Sequence, residues 1–343
     1  MLKVSSLAST LLVLLILLAS CIAPASPITP APAASDPTQP AALTPVTIGL
    51  GYIPSVQFAP FYVAREKGFF AEQGLDITYQ HGNETDFLQL IGVNKMQFAV
   101  AGGDQVILGR AQELPLTYVA AWYHQFPVVV MSLKDKGLDS VAKLQGQRVG
   151  IPGLYGASLV AWKALTAVGG LDESKVTLET IGFTQAAAVS EGRVDAALDY
   201  ATNGPVQLRL AGQEVNVIPV SDLINLPGNG LVTNEQTVTG NADLVQRVTN
   251  ALLAGIRYTL DNPDEAFTIS LQAVPEAGGD NEAANRAIFD ASLPLWQADA
   301  AALGRSDIGA WQQAADFMLK TGLINSAVKV DGIVTNQFVE AAP

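Results

Sequence analysis

Strand-length and helix-length hydrophobic patterns alternate along this chain from residue 46 onward, and the alternation confines it to an α/β fold built on largely parallel sheets. The run Val46-Thr47-Ile48-Gly49-Leu50-Gly51-Tyr52 predicts a strand. After Pro54, apolar residues at Phe61, Tyr62, Ala64, Phe69 and Phe70 predict a short helix packed on a sheet, with Gly68 as its stop. Strands over 75–79, 97–101, 117–122 and 128–132 complete a first block, with helices over 87–93 and 104–112 between them. A second block repeats the pattern, with strands at 146–151, 176–181, 194–198 and 215–220 and helices at 158–168 and 184–191. Gly230-Leu231-Val232-Thr233 then reads as a strand returning to the first block. Leu244, Val245, Val248, Leu252, Leu253, Ile256 and Leu260 mark one face of a helix over 242–261; another helix opens at Pro263, and the tail from 281 reads as helical.

A length of 343 residues exceeds one typical core. The expected division is a first lobe of 46–134 and 225–343, with a second lobe, 135–224, inserted into it. The apolar fraction of 49% is that of a globular protein. With 19 Lys and Arg against 32 Asp and Glu, the net charge is −13 and no basic block occurs, which excludes nucleic acid as a partner because phosphate neutralisation needs one. A single cysteine excludes a disulfide framework and a cysteine-ligated zinc site, and two histidines leave little for metal or triad chemistry. No cofactor or metal is therefore expected.

Residues 1–20 carry Lys3 and then the run Leu11-Leu12-Val13-Leu14-Leu15-Ile16-Leu17-Leu18-Ala19-Ser20, built like a secretory signal rather than a spanning helix, which needs roughly 20 apolar residues. The tetrad Leu18-Ala19-Ser20-Cys21 resembles the bacterial lipobox. That resemblance implies that Cys21 is diacylated and becomes the mature N-terminus, so that the protein is exported and lipid-anchored to the extracytoplasmic face of the cell membrane. Residues 21–45 then form a tether: seven prolines, no Lys or Arg, and one acid, Asp36, follow Cys21. Such a segment has too little apolar bulk to offset the entropy of ordering, and is expected to be extended.

Four motifs, in order, carry a resemblance to a known family. They are Pro54-Ser55-Val56-Gln57-Phe58-Ala59-Pro60-Phe61-Tyr62-Val63-Ala64-Arg65-Glu66-Lys67-Gly68-Phe69-Phe70 with Gln73-Gly74-Leu75-Asp76-Ile77; Gly103-Asp104-Gln105-Val106 with Ala111-Gln112-Glu113-Leu114-Pro115; Leu144-Gln145-Gly146-Gln147-Arg148-Val149-Gly150-Ile151-Pro152-Gly153; and Gly192-Arg193-Val194-Asp195-Ala196-Ala197. Together they resemble solute-binding proteins of ABC importers in the thiamine-pyrimidine-precursor family. The resemblance implies a two-lobed periplasmic-binding-protein fold, type II-like, with a ligand cleft between lobes. It also implies as partners a small vitamin ligand, an ABC permease and its ATPase, with hinge closure burying the ligand.

In open α/β sheets ligands sit beyond the carboxyl ends of strands, where loops and helix N-termini converge. The candidate ligand-binding residues on such loops are Tyr52, Gln57, Phe58, Asp104, Gln105, Trp122, Tyr123, Tyr155, Gly156, Tyr200 and Asn203. Tyr52, Trp122, Tyr155 and Tyr200 follow four separate predicted strands and suit the stacking of a planar ring. Gln57, Asp104, Gln105 and Asn203 offer donors and acceptors for its polar edge. Where pyrimidine-binding relatives carry a strand-end Asn-x-Glu, this chain has Asn203-Gly204-Pro205, and their His-Ala-Pro is here Phe58-Ala59-Pro60. A lost carboxylate and imidazole and a gained aromatic shift the expectation to a larger, neutral ring, for which riboflavin is the leading ligand.

The alternatives are a thiamine pyrimidine precursor, an alkanesulfonate, taurine or nitrate anion, a pyrimidine-synthase-like enzyme, and a receptor that signals rather than transports. An anion would call for a basic residue, and no Lys or Arg falls in the predicted cleft loops. Catalysis would call for a nucleophile and a positioned base, yet His81 and His124 read as rim or surface residues and Asp195, of the Asp195/Asp199 pair, as structural. No catalytic residue is expected, and binding without catalysis is the favoured reading.

Overall fold

The computed structural model describes residues 42–299 and 301–342; the predicted signal 1–20, Cys21 and nearly all of the tether lie outside them. The strands are β1 (Thr44–Gly51), β2 (Leu75–Gly82), β3 (Phe98–Gly102), β4 (Leu116–Ala121), β5 (Val128–Leu133), β6 (Arg148–Ile151), β7 (Thr177–Thr180), β8 (Ala196–Tyr200), β9 (Val215–Pro219) and β10 (Asn229–Asn234). They form two five-stranded sheets, ordered β2-β1-β3-β10-β4 and β7-β6-β8-β5-β9. In the first, β1 runs parallel to β2 and β3 while β10 lies antiparallel between β3 and β4. The second repeats this plan: β6 is parallel to β7 and β8, and β5 lies antiparallel between β8 and β9. In each sheet, therefore, the antiparallel strand is the one that arrives from, or by way of, the other sheet.

One expectation is corrected here. Residues 128–132, grouped with the first block, belong to the second sheet, where Val130 pairs with both Leu198 and Ile218. The chain crosses between sheets after β4 rather than after residue 134, and it returns between β9 and β10. Hydrophobic alternation marks a strand but is silent on which sheet takes it. The tail also departs from a wholly helical reading. Helices Glu282–Trp296, Ile308–Lys320 and Gln337–Glu340 form, but between the last two the backbone is irregular and runs along β4, with Tyr118 N–H donating to Ile333 C=O at 2.7 Å and Thr335 N–H to Tyr118 C=O at 3.0 Å.

Burial explains why these segments sit where they do. β3, β4 and β10 are buried along their whole length, as strands covered on both faces must be. The helix Ala242–Asp261 buries Leu244, Val245, Val248, Leu252, Leu253 and Ile256 against the first sheet's outer layer, the face its periodicity marks. Gly255 of that helix meets the backbone of Pro60 and Ala64, so two helices approach where a side chain would hold them apart. Each large apolar side chain buried in this way contributes about 1.5–3 kcal/mol. No helix among the described residues is long and apolar enough to cross a membrane.

Candidate functional site

The carboxyl ends of the parallel strands of both sheets open onto one cleft. From the first sheet come the turn after β1, the N-terminus of helix Glu84–Gly92 after β2, and that of helix Gly103–Ala111 after β3. From the second come the loop Pro152-Gly153-Leu154-Tyr155 before helix Gly156–Ala167, the turn at Gly182 and Phe183, and the turn after Tyr200.

Aromatic rings stand at the mouth of this cleft. Tyr52, Tyr155 and Phe183 are 45%, 55% and 71% exposed, unusual for large rings in a folded core protein. Tyr52 and Phe183 meet edge to face across the two sheets, with centroids 6.4 Å apart. Tyr52 holds a left-handed backbone, φ 69°, that costs a non-glycine residue about 1–2 kcal/mol, and its N–H is fixed by Gly82 C=O at 2.7 Å. The Tyr155 ring folds over Gly153, where a Cβ would strike it, and Gly156 adopts φ 64° to start the next helix. Tyr155 and Gly156 also line a cavity of about 190 Å³ with Gln105, Thr85 and Gln89 of the first sheet's helices.

The other candidates divide between latch and core. Gln57 spends its side-chain amide inside the protein, donating from Nε2 to Asn203 Oδ1 at 2.7 Å and accepting from Thr202 Oγ1 at 3.2 Å. These bonds join the first sheet to the turn after β8. Phe58, Trp122 and Tyr123 form a buried column, with Phe58 stacked on Trp122 at 5.4 Å and Trp122 on Tyr123 at 4.0 Å. Both faces of the Trp122 indole are thereby covered, leaving no face on which a ligand ring can stack. The expectation that Trp122 is a stacking platform gives way to a packing role in the core of the first sheet. Tyr200 is half-buried at the end of β8, and burial raises its hydroxyl, with the nearby Glu84 and Asp104 adding to the rise.

Carboxyls lie beneath the rim. Burial pushes Asp199 up to about 7, although it accepts from Tyr200 N–H at 2.7 Å and Gly204 N–H at 3.0 Å, bonds that tie down the turn carrying Asn203. Its charge also helps to raise Tyr52, after burial. Asp195, paired with Asp199 in the sequence reading, instead binds Arg148 at 3.1 Å and Lys136 at 3.4 Å outside the cleft. His81 packs edge-on to Phe58, and burial lowers it, as it does His124.

Glu84, Asn229, Thr202 and Phe183 escape the sequence reading. Phe183 was legible in principle: a strand ending at Thr180, then Ile181-Gly182-Phe183-Thr184 with a positive-φ glycine beside an aromatic before a helix, is similar to the Tyr155 loop, where the positive-φ Gly156 follows the ring. Glu84 follows the helix-capping Asn83, whose Oδ1 accepts from Thr85 N–H at 2.8 Å.

Comparison with known proteins fits this geometry. The chain is 40% identical over 337 residues to the riboflavin-binding protein RibY of Chloroflexus aurantiacus, covering 96% of each chain. It is 31% identical to a formylaminopyrimidine-binding protein of Halalkalibacterium halodurans, over 69% of this chain and 72% of that one. In fold it superposes on the periplasmic aliphatic sulphonate binding protein SsuA of Escherichia coli with a TM-score of 0.69 at 15% identity, covering 85% of this chain and 92% of the other. The α/β, two-lobed periplasmic-binding-protein fold is thus the one present. With the family described as NMT1/THI5 like matching residues 55–266, this chain belongs to that family.

Proposed function

We propose that this protein is the ligand-capturing component of an ABC importer and that its ligand is riboflavin, held as a planar ring between aromatic side chains of the two sheets. The observation that carries the reading is the exposed aromatic rim of Tyr52, Tyr155 and Phe183 around a cleft whose loops contain no Lys or Arg. A flat, neutral ring gains from such walls, whereas an anion finds no counter-charge. The relative named as riboflavin-binding, aligned over nearly the whole chain, supports the same ligand, and the relative named for a formylaminopyrimidine supports a smaller heteroaromatic ring as second reading. The chain is a binder and not an enzyme, in keeping with both relatives.

Riboflavin fluorescence should be quenched on titration with purified protein. Tyr155→Ala and Phe183→Ala should each weaken binding by about 0.5–1.5 kcal/mol, the worth of one aromatic contact. Unchanged affinity in both variants would remove the rim from the site.

The lobes of this reading are the two sheets with their flanking helices, hinged at the segments that join β4 to β5 and β9 to β10. Anchoring through Cys21 would hold the binder beside its permease, with the residues before β1 as spacer; the expected tether end at 45 is cut back by β1, which starts at Thr44. Cys21→Ser should release the protein from the membrane fraction and abolish incorporation of a labelled fatty acid. Retention of the label by the variant would refute lipidation at this residue.

A further inference from the structure

Two carboxyls at the helix starts after β2 and β3 lack a counter-charge. Glu84 Oε2 accepts from Gly102 N–H at 3.2 Å and Oε1 from Asn229 Nδ2 at 3.1 Å. The residue is half-buried, and burial of its carboxyl pushes it up to about 7. Asp104 is wholly buried; Oδ2 accepts from Gln105 Nε2 at 2.7 Å, Oδ1 has no hydrogen-bond partner, and burial raises it to about 6. A Cβ on Gly102 would strike Asp104 Oδ1, so this oxygen and Glu84 Oε2 lie against the same glycine.

The surroundings of the pair are phenols, amides and glycine. Tyr123 faces it from the segment after β4, Tyr200 from β8 of the opposite sheet, Asn229 from β10 and Gly51 from β1. His81 of β2 turns to Tyr62 and Phe58 instead. Among the described residues no Lys or Arg acts on either carboxyl. The buried Tyr123 hydroxyl lies beside Glu84 and beside Ser292, whose own O–H donates to Ile288 C=O at 2.8 Å and whose oxygen can accept from Tyr123. One buried acceptor of the pair, Asp104 Oδ1, thus stands without a donor.

We propose that Glu84 and Asp104 form the specificity-determining floor of the cleft, taking up a proton together with an uncharged ring whose edge offers a donor beside an acceptor, and rejecting anions. The proposal rests on the capture reading above. A protonated carboxyl presents both an O–H donor and an acceptor, whereas a carboxylate only accepts. Closing the cleft removes water from the pair and favours the protonated form, and an anion brought there meets like charge in a poorly screened site.

The test is calorimetric titration of riboflavin at about pH 5.5 and about pH 8, in buffers of differing ionisation heat, so that proton uptake is read directly. Wild-type affinity should fall by roughly tenfold at the higher pH, with proton uptake, and Glu84→Gln should flatten the difference. Equal affinity at both pH values without proton uptake overturns the inference and leaves riboflavin capture standing. If riboflavin does not bind at either pH, the capture reading fails and melting of the free protein decides the proton pair. The folded acid keeps its proton up to about 7 whereas its ordinary value is 4.5, so stability is greatest at low pH and is lost as pH rises through 7. Glu84→Gln, or Asp104→Asn should the first variant misfold, then raises the melting temperature more near pH 8 than near pH 5.5. An equal offset at both overturns the pair's role.

Discussion

Trp122→Ala should destabilise the protein by about 3–5 kcal/mol, the range for removing a buried tryptophan. The indole is 3% exposed, stacked between Phe58 and Tyr123, with Phe61 against it edge to face at 5.6 Å. Its backbone N–H is also bound to Asn229 C=O at 2.9 Å, so it sits where the chain leaves the first sheet. Truncation opens a cavity that three rings cannot refill without leaving their own packing. Urea unfolding measures the loss, and Trp122→Phe should restore part of it by keeping a stacked ring. A loss under about 1 kcal/mol would mean that the column is not a structural joint, and would return Trp122 to the ligand site.

Gly228→Ala should cost about 1–3 kcal/mol and loosen the two segments that join the sheets. A Cβ at Gly228 would collide with the carbonyl oxygens of Tyr123 and Gln125, which are main-chain atoms with no rotamer to escape into. Relief requires the crossing segments to part, straining the bonds from Trp122 N–H and Tyr123 N–H to Asn229 C=O, 2.9 and 2.7 Å. Amide hydrogen exchange at Trp122 and Tyr123 should accelerate in the variant. Gly240→Ala, where no atom lies within 4 Å of the added carbon, should leave both rates unchanged. Exchange that stays slow in Gly228→Ala would show that the joint tolerates separation.

The fold was legible because its strands and helices are carried by local hydrophobic periodicity. The predicted strand at 46–52 became β1, Thr44–Gly51, and the predicted helix at 242–261 formed with the marked face buried. What periodicity does not encode is partnership, and for that reason 128–132 was drawn into the wrong sheet. The candidate site was less legible for a related reason. An aromatic after a strand can turn to the cleft, as Tyr155 does, or to the core, as Trp122 does, and only packing decides. The loss of a strand-end glutamate at Asn203-Gly204-Pro205 pointed to a larger neutral ring and left Asp104 as the one candidate carboxyl, whereas Glu84, from a helix start on the first sheet, was not singled out. No linear motif joins Glu84 to Asn229, which are 145 residues apart.

The central claim is that this cleft captures a flat, uncharged ring of flavin size. Competition calorimetry on purified protein tests it most directly, with riboflavin, an aminopyrimidine and an alkanesulfonate offered to the same sample. The account predicts that riboflavin binds and displaces the aminopyrimidine, while the sulfonate gives no heat. Tight sulfonate or aminopyrimidine binding that riboflavin fails to displace would contradict it.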